Sequence, residues 1–270
     1  MKQKRTYKNL ENYLSEVQSE GKLYFSINDL KNKFSNHSLN SIQMNLKRRK
    51  KKQIIEHIMK GFYVIIPPEY SRQKVLPPEL FIDALFKYLN RPYYVSLLSA
   101  ALYHGASHQQ PQEYFVMIDR PPMRATEKKG LKINYVVKSN LVKSEIENKK
   151  TSTGYLKVST PEQTAVDLIY FNNRIGGLNR AATILNELAE SMEAKRLKIV
   201  LSNCRKNAAL QRLGYILENI VDKNDLADVV SDYLKSKKLF RVPLKSNGKK
   251  GGFTVNSKWK IVENFKIEID

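Results

Sequence analysis

Apolar residues recur over the first fifty positions at a helical period. Leu10, Tyr13, Leu14 and Val17 share one stripe of residues 9–20, and Gly21 follows as a stop. Ile27, Leu30 and Phe34 mark the buried side of a short second helix, for which Ser26 and Asp29 offer a capping box. After a polar break at 35–38, Leu39, Ile42 and Leu46 repeat at i, i+3, i+7, with Ser38 as the cap, which predicts a third helix over 38–52. The pattern then shortens to two strands, 54–58 and 62–66, joined at Met59-Lys60-Gly61. Helix, helix, turn, helix, hairpin in about sixty residues is the order of a winged helix-turn-helix.

Pro67-Pro68 and Pro77-Pro78 bracket a segment, 67–78, that reads as an interdomain linker. Beyond it the pattern mixes periods. Helices are expected over 79–89 and 94–104, and strands over 114–118, 131–137 and 155–158. Ser159-Thr160-Pro161-Glu162 starts another helix with a hydroxyl cap, a proline in the first turn and an early acid. Residues 178–235 are helical at several periods, punctuated at Asn207, Gly214 and Lys223-Asn224, and strand character returns at 240–244 and 259–262. The chain is therefore expected to be α+β: a winged helix-turn-helix at 1–66, the linker at 67–78, and a larger mixed α/β domain at 79–270.

Charge sharpens this picture. The 270 residues carry 47 Lys and Arg against 26 Asp and Glu, a net of +21. Residues 1–66 hold 14 of the cations and 5 of the anions, a net of +9 in a quarter of the chain, which leaves +12 for residues 67–270. An excess of this size repels itself and implies a polyanionic partner, nucleic acid before an anionic membrane. A Lys-rich solvated surface with no partner is the bland alternative. The lone cysteine, Cys204, allows no internal disulfide, suits a cytoplasmic setting and is expected to be a buried small hydrophobe. Residues 1–8 are basic but lack a following apolar core, and no stretch approaches the ~18 apolar residues of a membrane span.

The third helix carries the candidate chemistry. An α-helix fits the major groove of double-stranded DNA, where its polar side chains read base edges and cations hold phosphates. With Leu39, Ile42 and Leu46 turned inward, Asn40, Ser41, Gln43, Met44 and Lys47 face out behind the capping Ser38. Asn and Gln pair with adenine and Met touches a thymine methyl, so AT-containing sites are expected. Six consecutive cations, Lys47, Arg48, Arg49, Lys50, Lys51 and Lys52, close the helix at the negative end of its dipole, and Lys60 sits at the wing turn.

Signals for catalysis are weaker. No Gly-rich phosphate loop, nucleophile elbow or metal-ligand cluster stands out, and no cofactor is expected. His104 and His108 are four apart but straddle Gly105. Asp119 at a strand end, with Glu127 and Lys129 at E-x-K spacing, fits a metal-dependent nuclease, yet Pro121-Pro122 and Gly130 make the segment read as a loop joining two strands. Asp167 reads as a structural hydrogen-bond acceptor.

Taken together, three stretches resemble the AbiEi antitoxin family of bacterial abortive-infection systems. They are the winged helix ending in Met59-Lys60-Gly61-Phe62-Tyr63-Val64, the run 94–105 leading into the strand at 113–118, and Val158-Ser159-Thr160-Pro161-Glu162-Gln163-Thr164-Ala165-Val166-Asp167-Leu168. The closing run 252–261 around Trp259 supports them. The resemblance implies a two-domain antitoxin of a type IV toxin–antitoxin pair. Its N-terminal domain would bind inverted repeats in its own promoter and repress it. Its C-terminal domain would oppose a nucleotidyltransferase toxin without a stable complex, and basic residues of both domains would share one DNA surface. The alternative function is a nuclease targeted by the winged helix.

Overall fold

The computed structural model describes residues 9–106, 113–128, 130–141, 144–248 and 251–269. The N-terminal part is α1 (Leu10–Ser19), β1 (Tyr24–Ser26), α2 (Ile27–Lys33), α3 (Leu39–Lys51), β2 (Ile55–Met59) and β3 (Phe62–Ile65), with a three-stranded antiparallel sheet in the order β1-β3-β2. This is the expected helix and hairpin order with one addition, the short strand β1. The Ser26 and Ser38 caps form as expected, and Asn9 adds a third. Asn9 accepts from Asn12, Ser26 and Asp29 form the reciprocal capping box, and Ser38 accepts from the Ser41 N–H. Tyr13 meets Phe25 and Phe34 edge-on at about 6 Å, and Leu14, Leu30, Ile42, Leu46 and Ile55 complete the small core. Leu39 does not join it. It is 51% exposed, so the buried stripe of α3 starts at Ile42 and its first turn overhangs its partners.

The second part is built on a six-stranded mixed sheet in the order β6-β7-β5-β4-β9-β8. Its strands are β4 (Tyr93–Val95), β5 (Tyr114–Ile118), β6 (Thr126–Lys128), β7 (Leu131–Val137), β8 (Ile146–Thr151) and β9 (Gly154–Ser159). β5 is apolar throughout because both its faces are covered. Phe115 and Met117 enter a core beneath α5 (Leu97–Tyr103), α6 (Pro161–Tyr170), α7 (Leu178–Leu188), α8 (Ala194–Asn203), α9 (Asn207–Asn219) and α10 (Asn224–Lys235). Val116 and Ile118 enter a second core on the opposite face, with α4 (Ile82–Leu89).

Three expectations change here. Residues 94–104 do not run as one helix: β4 takes the first positions, and α5 begins at Leu97. Residues 126–128 are not loop but the edge strand β6, paired with β7 through Glu127 and Lys132. Cys204 is only half-buried, at the C-cap of α8.

The second core also takes in the N-terminal part. Ile58, Phe62 and Val64 of the hairpin pack with Leu76, Leu80, Phe81 and the sheet residues Val95, Val116 and Leu156. Residues 67–78 thus carry a wholly buried Leu76 and a 3-10 turn at Pro68–Tyr70. The hairpin turn abuts α4: Phe62 and Tyr88 rings lie 5.5 Å apart, and the Tyr88 hydroxyl donates to the Lys60 carbonyl. Gly61 has φ +77, and a side chain there would strike the Tyr88 hydroxyl and Ile27.

The C-terminal segment folds back as β10 (Val242–Pro243), β11 (Val255–Asn256) and β12 (Ile261–Val262), in the order β10-β12-β11. The buried Trp259 ring lies directly on Gly214 of α9, where a methyl group would overlap it, and Gln211 donates to the Trp259 carbonyl. Overpacking of this kind costs about 1–3 kcal/mol or more. Gly214→Ala should therefore lower the urea midpoint of the full chain, whereas Gly251→Ala, at an open position, should leave it unchanged.

Candidate nucleic-acid interface

α3 divides into an anchored and an open side. Ile42 and Leu46 are buried, and Arg49, one turn on, points the same way and pairs with Glu11 of α1 at 3.1 Å. The Arg49 guanidinium holds the Glu11 carboxyl below its ordinary range. Lys50 pairs with Glu56 of β2 at 2.9 Å. These two cations tie the helix to its own domain. Asn40, Met44, Lys47 and Lys51, spaced i, i+4, i+7, i+11, form one exposed ridge, flanked by exposed Gln43 and Arg48. At 1.5 Å per residue the ridge is about 16 Å long, and Met44 on it is 53% exposed. An apolar side chain held in water among amides and cations suits contact with a base methyl. The Ser38 hydroxyl is engaged in the cap, where it accepts from the Ser41 backbone N–H, and Lys52 is exposed at the helix end.

Lys60 is exposed at the hairpin turn, although the turn backbone leans on α4. His57 on β2 contributes no charge near neutrality: burial pushes its imidazole down, aided by Lys128 and Lys50.

The residues considered for nuclease chemistry are not brought together. Asp119 follows the end of β5 and is clamped by Arg91, which bonds its carboxylate at 3.0 Å, its carbonyl, and the Pro121 carbonyl. Glu127 pairs across β6 and β7 with Lys132, and Ile133 beside it lies opposite Tyr114, at the start of β5. Asp119 and Glu127 are thus separated by the length of β5, about 17 Å at 3.3 Å per residue, too far to share a metal ion. Lys129 and His108 lie outside the described residues, among which no three His, Cys, Asp or Glu side chains gather as a metal site.

Asp167 has the acceptor role its sequence context suggested. It accepts from the Tyr94 hydroxyl at 2.7 Å, Lys138 Nζ at 2.8 Å and Gln163 Nε2 at 3.1 Å, and Lys138 also donates to the Tyr94 oxygen. Burial and the adjacent Asp167 charge push the Tyr94 phenol well above its ordinary range, so it stays protonated as the donor. The network ties α6 to β4 and to the end of β7. Lys138 and Tyr94 were not picked out from sequence because they lie 29 and 73 positions from Asp167.

Most of the six-stranded sheet and the helices that follow it match a known domain. Residues 94–219 match the AbiEi antitoxin C-terminal domain. This match, over somewhat less than half of the chain, supports the resemblance to the AbiEi antitoxin family. The chain is also similar in fold to the RV2827C protein from Mycobacterium tuberculosis, with a TM-score of 0.68 at 16% identity over 96% of this chain and 92% of that one. An antigenic nucleotidyltransferase-like protein from Paracoccidioides brasiliensis covers 55% of this chain and 88% of its own at 11% identity, but its TM-score of 0.35 is too low to bear on fold or function. No curated protein sequence matches the chain. Among the described residues, no helix is long and apolar enough to cross a membrane.

A buried ion pair is costly to break and cheaper to remove whole. Lys138→Met alone strands the Asp167 carboxylate and should destabilise the chain by about 3–5 kcal/mol. The double replacement Lys138→Met with Asp167→Leu should recover a good part of that loss in chemical denaturation. Additive losses would show that the two side chains do not act as a pair.

Proposed function

We propose that this protein is a DNA-binding transcriptional autorepressor and the antitoxin of a type IV toxin–antitoxin pair, working in the cytoplasm against a nucleotidyltransferase toxin encoded beside it. The antitoxin role follows the AbiEi domain at 94–219. The observation that carries the DNA-binding half is the ridge of Asn40, Met44, Lys47 and Lys51 on α3, exposed while Arg49 and Lys50 are held against the domain. In this reading α3 enters the major groove of each half of an inverted repeat in the protein's own promoter. Asn40, Gln43 and Met44 read base edges, and Lys47, Arg48 and Lys51 neutralise phosphates. The toxin is opposed through the C-terminal domain without a stable complex. The net of +12 beyond residue 66 supports a contribution of that domain to the same DNA.

Two sets of substitutions separate these roles. Lys47→Ala, Arg48→Ala and Lys51→Ala together should weaken binding to every duplex and reduce the slope of log affinity against log salt by about 3. Asn40→Ala or Gln43→Ala should lose about 1–3 kcal/mol on the promoter repeats while leaving random DNA unaffected. Gel-shift titrations at several salt concentrations read both. Unchanged promoter binding in both sets would remove α3 from the interface.

A further inference from the structure

A cavity of about 320 Å³ opens between the end of β7, one face of α6 and the junction of α8 with α9. Its lining is polar and lopsided in charge. Lys138 and Asp167 form the floor and cancel each other, and Arg205 and Lys206 on the rim leave an excess of two positive charges. Among the described residues, Lys138 gives two of its three N–H donors to Tyr94 and Asp167, and its ammonium borders the cavity. Gln163 and Asp167 on the floor are almost wholly buried.

Lys206 is also the N-cap of α9, a helix of 13 residues whose N-terminus has no side-chain cap. The positive end of the helix dipole therefore adds to the two rim cations. Beside them stands the Tyr170 ring, 42% exposed and crossed by Lys206 Nζ at 5.9 Å from its centroid. Asn203 and Asn140 supply neutral donors and acceptors.

We propose that this cavity binds a nucleoside monophosphate, with the phosphate between Arg205, Lys206 and the start of α9, and the base against Tyr170. The charge excess matches a phosphate dianion. The exposed ring offers the apolar face on which a base stacks. The volume is at the small end of ligand sites, which run from about 300 Å³ upward, and suits one nucleotide rather than two. An ion pair is an expensive tie between α6 and β7, and apolar residues would serve that end as well. Its presence at the cavity floor is accounted for by a polar ligand.

Calorimetric titration of the full chain with AMP, UMP, ribose 5-phosphate and inorganic phosphate tests this. AMP or UMP should bind saturably and more tightly than ribose 5-phosphate, and inorganic phosphate should be weakest. Arg205→Ala with Lys206→Ala should weaken nucleotide binding by at least about tenfold. Tyr170→Ala should bring AMP down to the affinity of ribose 5-phosphate. All three side chains are exposed, so the variants should keep the parent melting temperature. No saturable binding of either nucleotide, or nucleotide binding unchanged in the double variant, would overturn the proposal. Equal affinity for phosphate and AMP would reduce the site to an anion hole and overturn the nucleotide assignment. A 5′-phosphorylated single-stranded oligonucleotide that outbinds AMP on the parent chain and loses that advantage in the Arg205→Ala, Lys206→Ala variant would do the same in favour of a nucleic-acid end.

Discussion

The hydrophobic core shared by the hairpin and the six-stranded sheet is the contact on which the rest of the structure depends. Ile58, Phe62 and Val64 are apolar side chains of a short hairpin, and a hairpin of this size is marginal alone. They reach their buried state because α4, Leu76 and the far face of the sheet cover them. Each such side chain contributes roughly 1.5–3 kcal/mol when fully buried, so the hairpin is held to the six-stranded sheet as well as to its own helices. With the hairpin turn leaning on Tyr88 and α3 tied back through Arg49 and Lys50, the polar ridge of α3 faces away from the contacts that hold it.

The same economy explains which cations are free. A run of six cations looks uniform in sequence, yet a helix turns it through more than one full revolution. Arg49 falls on the anchored side and Lys50 beside β2, where acids meet them, while Lys47, Arg48 and Lys51 fall on the open side. On the far side of the sheet, the buried Lys138–Asp167 pair turns a structural junction into the floor of a polar cavity.

Much of the N-terminal part was legible because its signals are local: a 3.6-residue period, two side-chain caps and a glycine turn, each confined to a few neighbouring residues. Strands flanked by proline and glycine were also readable where they were apolar, as β5 and β7 were. The misses have physical causes. β8 alternates Glu, Asn and Lys because it is an edge strand with little to bury, so no hydrophobic pattern marks it. β4 is three residues long and runs almost directly into α5, so its apolar residues merged with the helical run. β6 is short, polar and edge-bound, and its pairing with β7 depends on the sheet rather than on its own residues. Leu39 continued the helical period but lay one turn beyond the residues that could cover it. The Tyr94, Lys138 and Asp167 network is long-range by nature, and no spacing rule reports it.

The placement of α3 can be read directly on DNA. With Cys204→Ala removing the native thiol, Met44→Cys puts a unique attachment point on the ridge for an iron-chelate cleavage reagent. On the protein's own promoter, major-groove seating of α3 predicts cuts confined to a few base pairs within each half of the inverted repeat, lost on a scrambled repeat. Cuts spread evenly along the duplex, or absent while the protein remains bound, would contradict it.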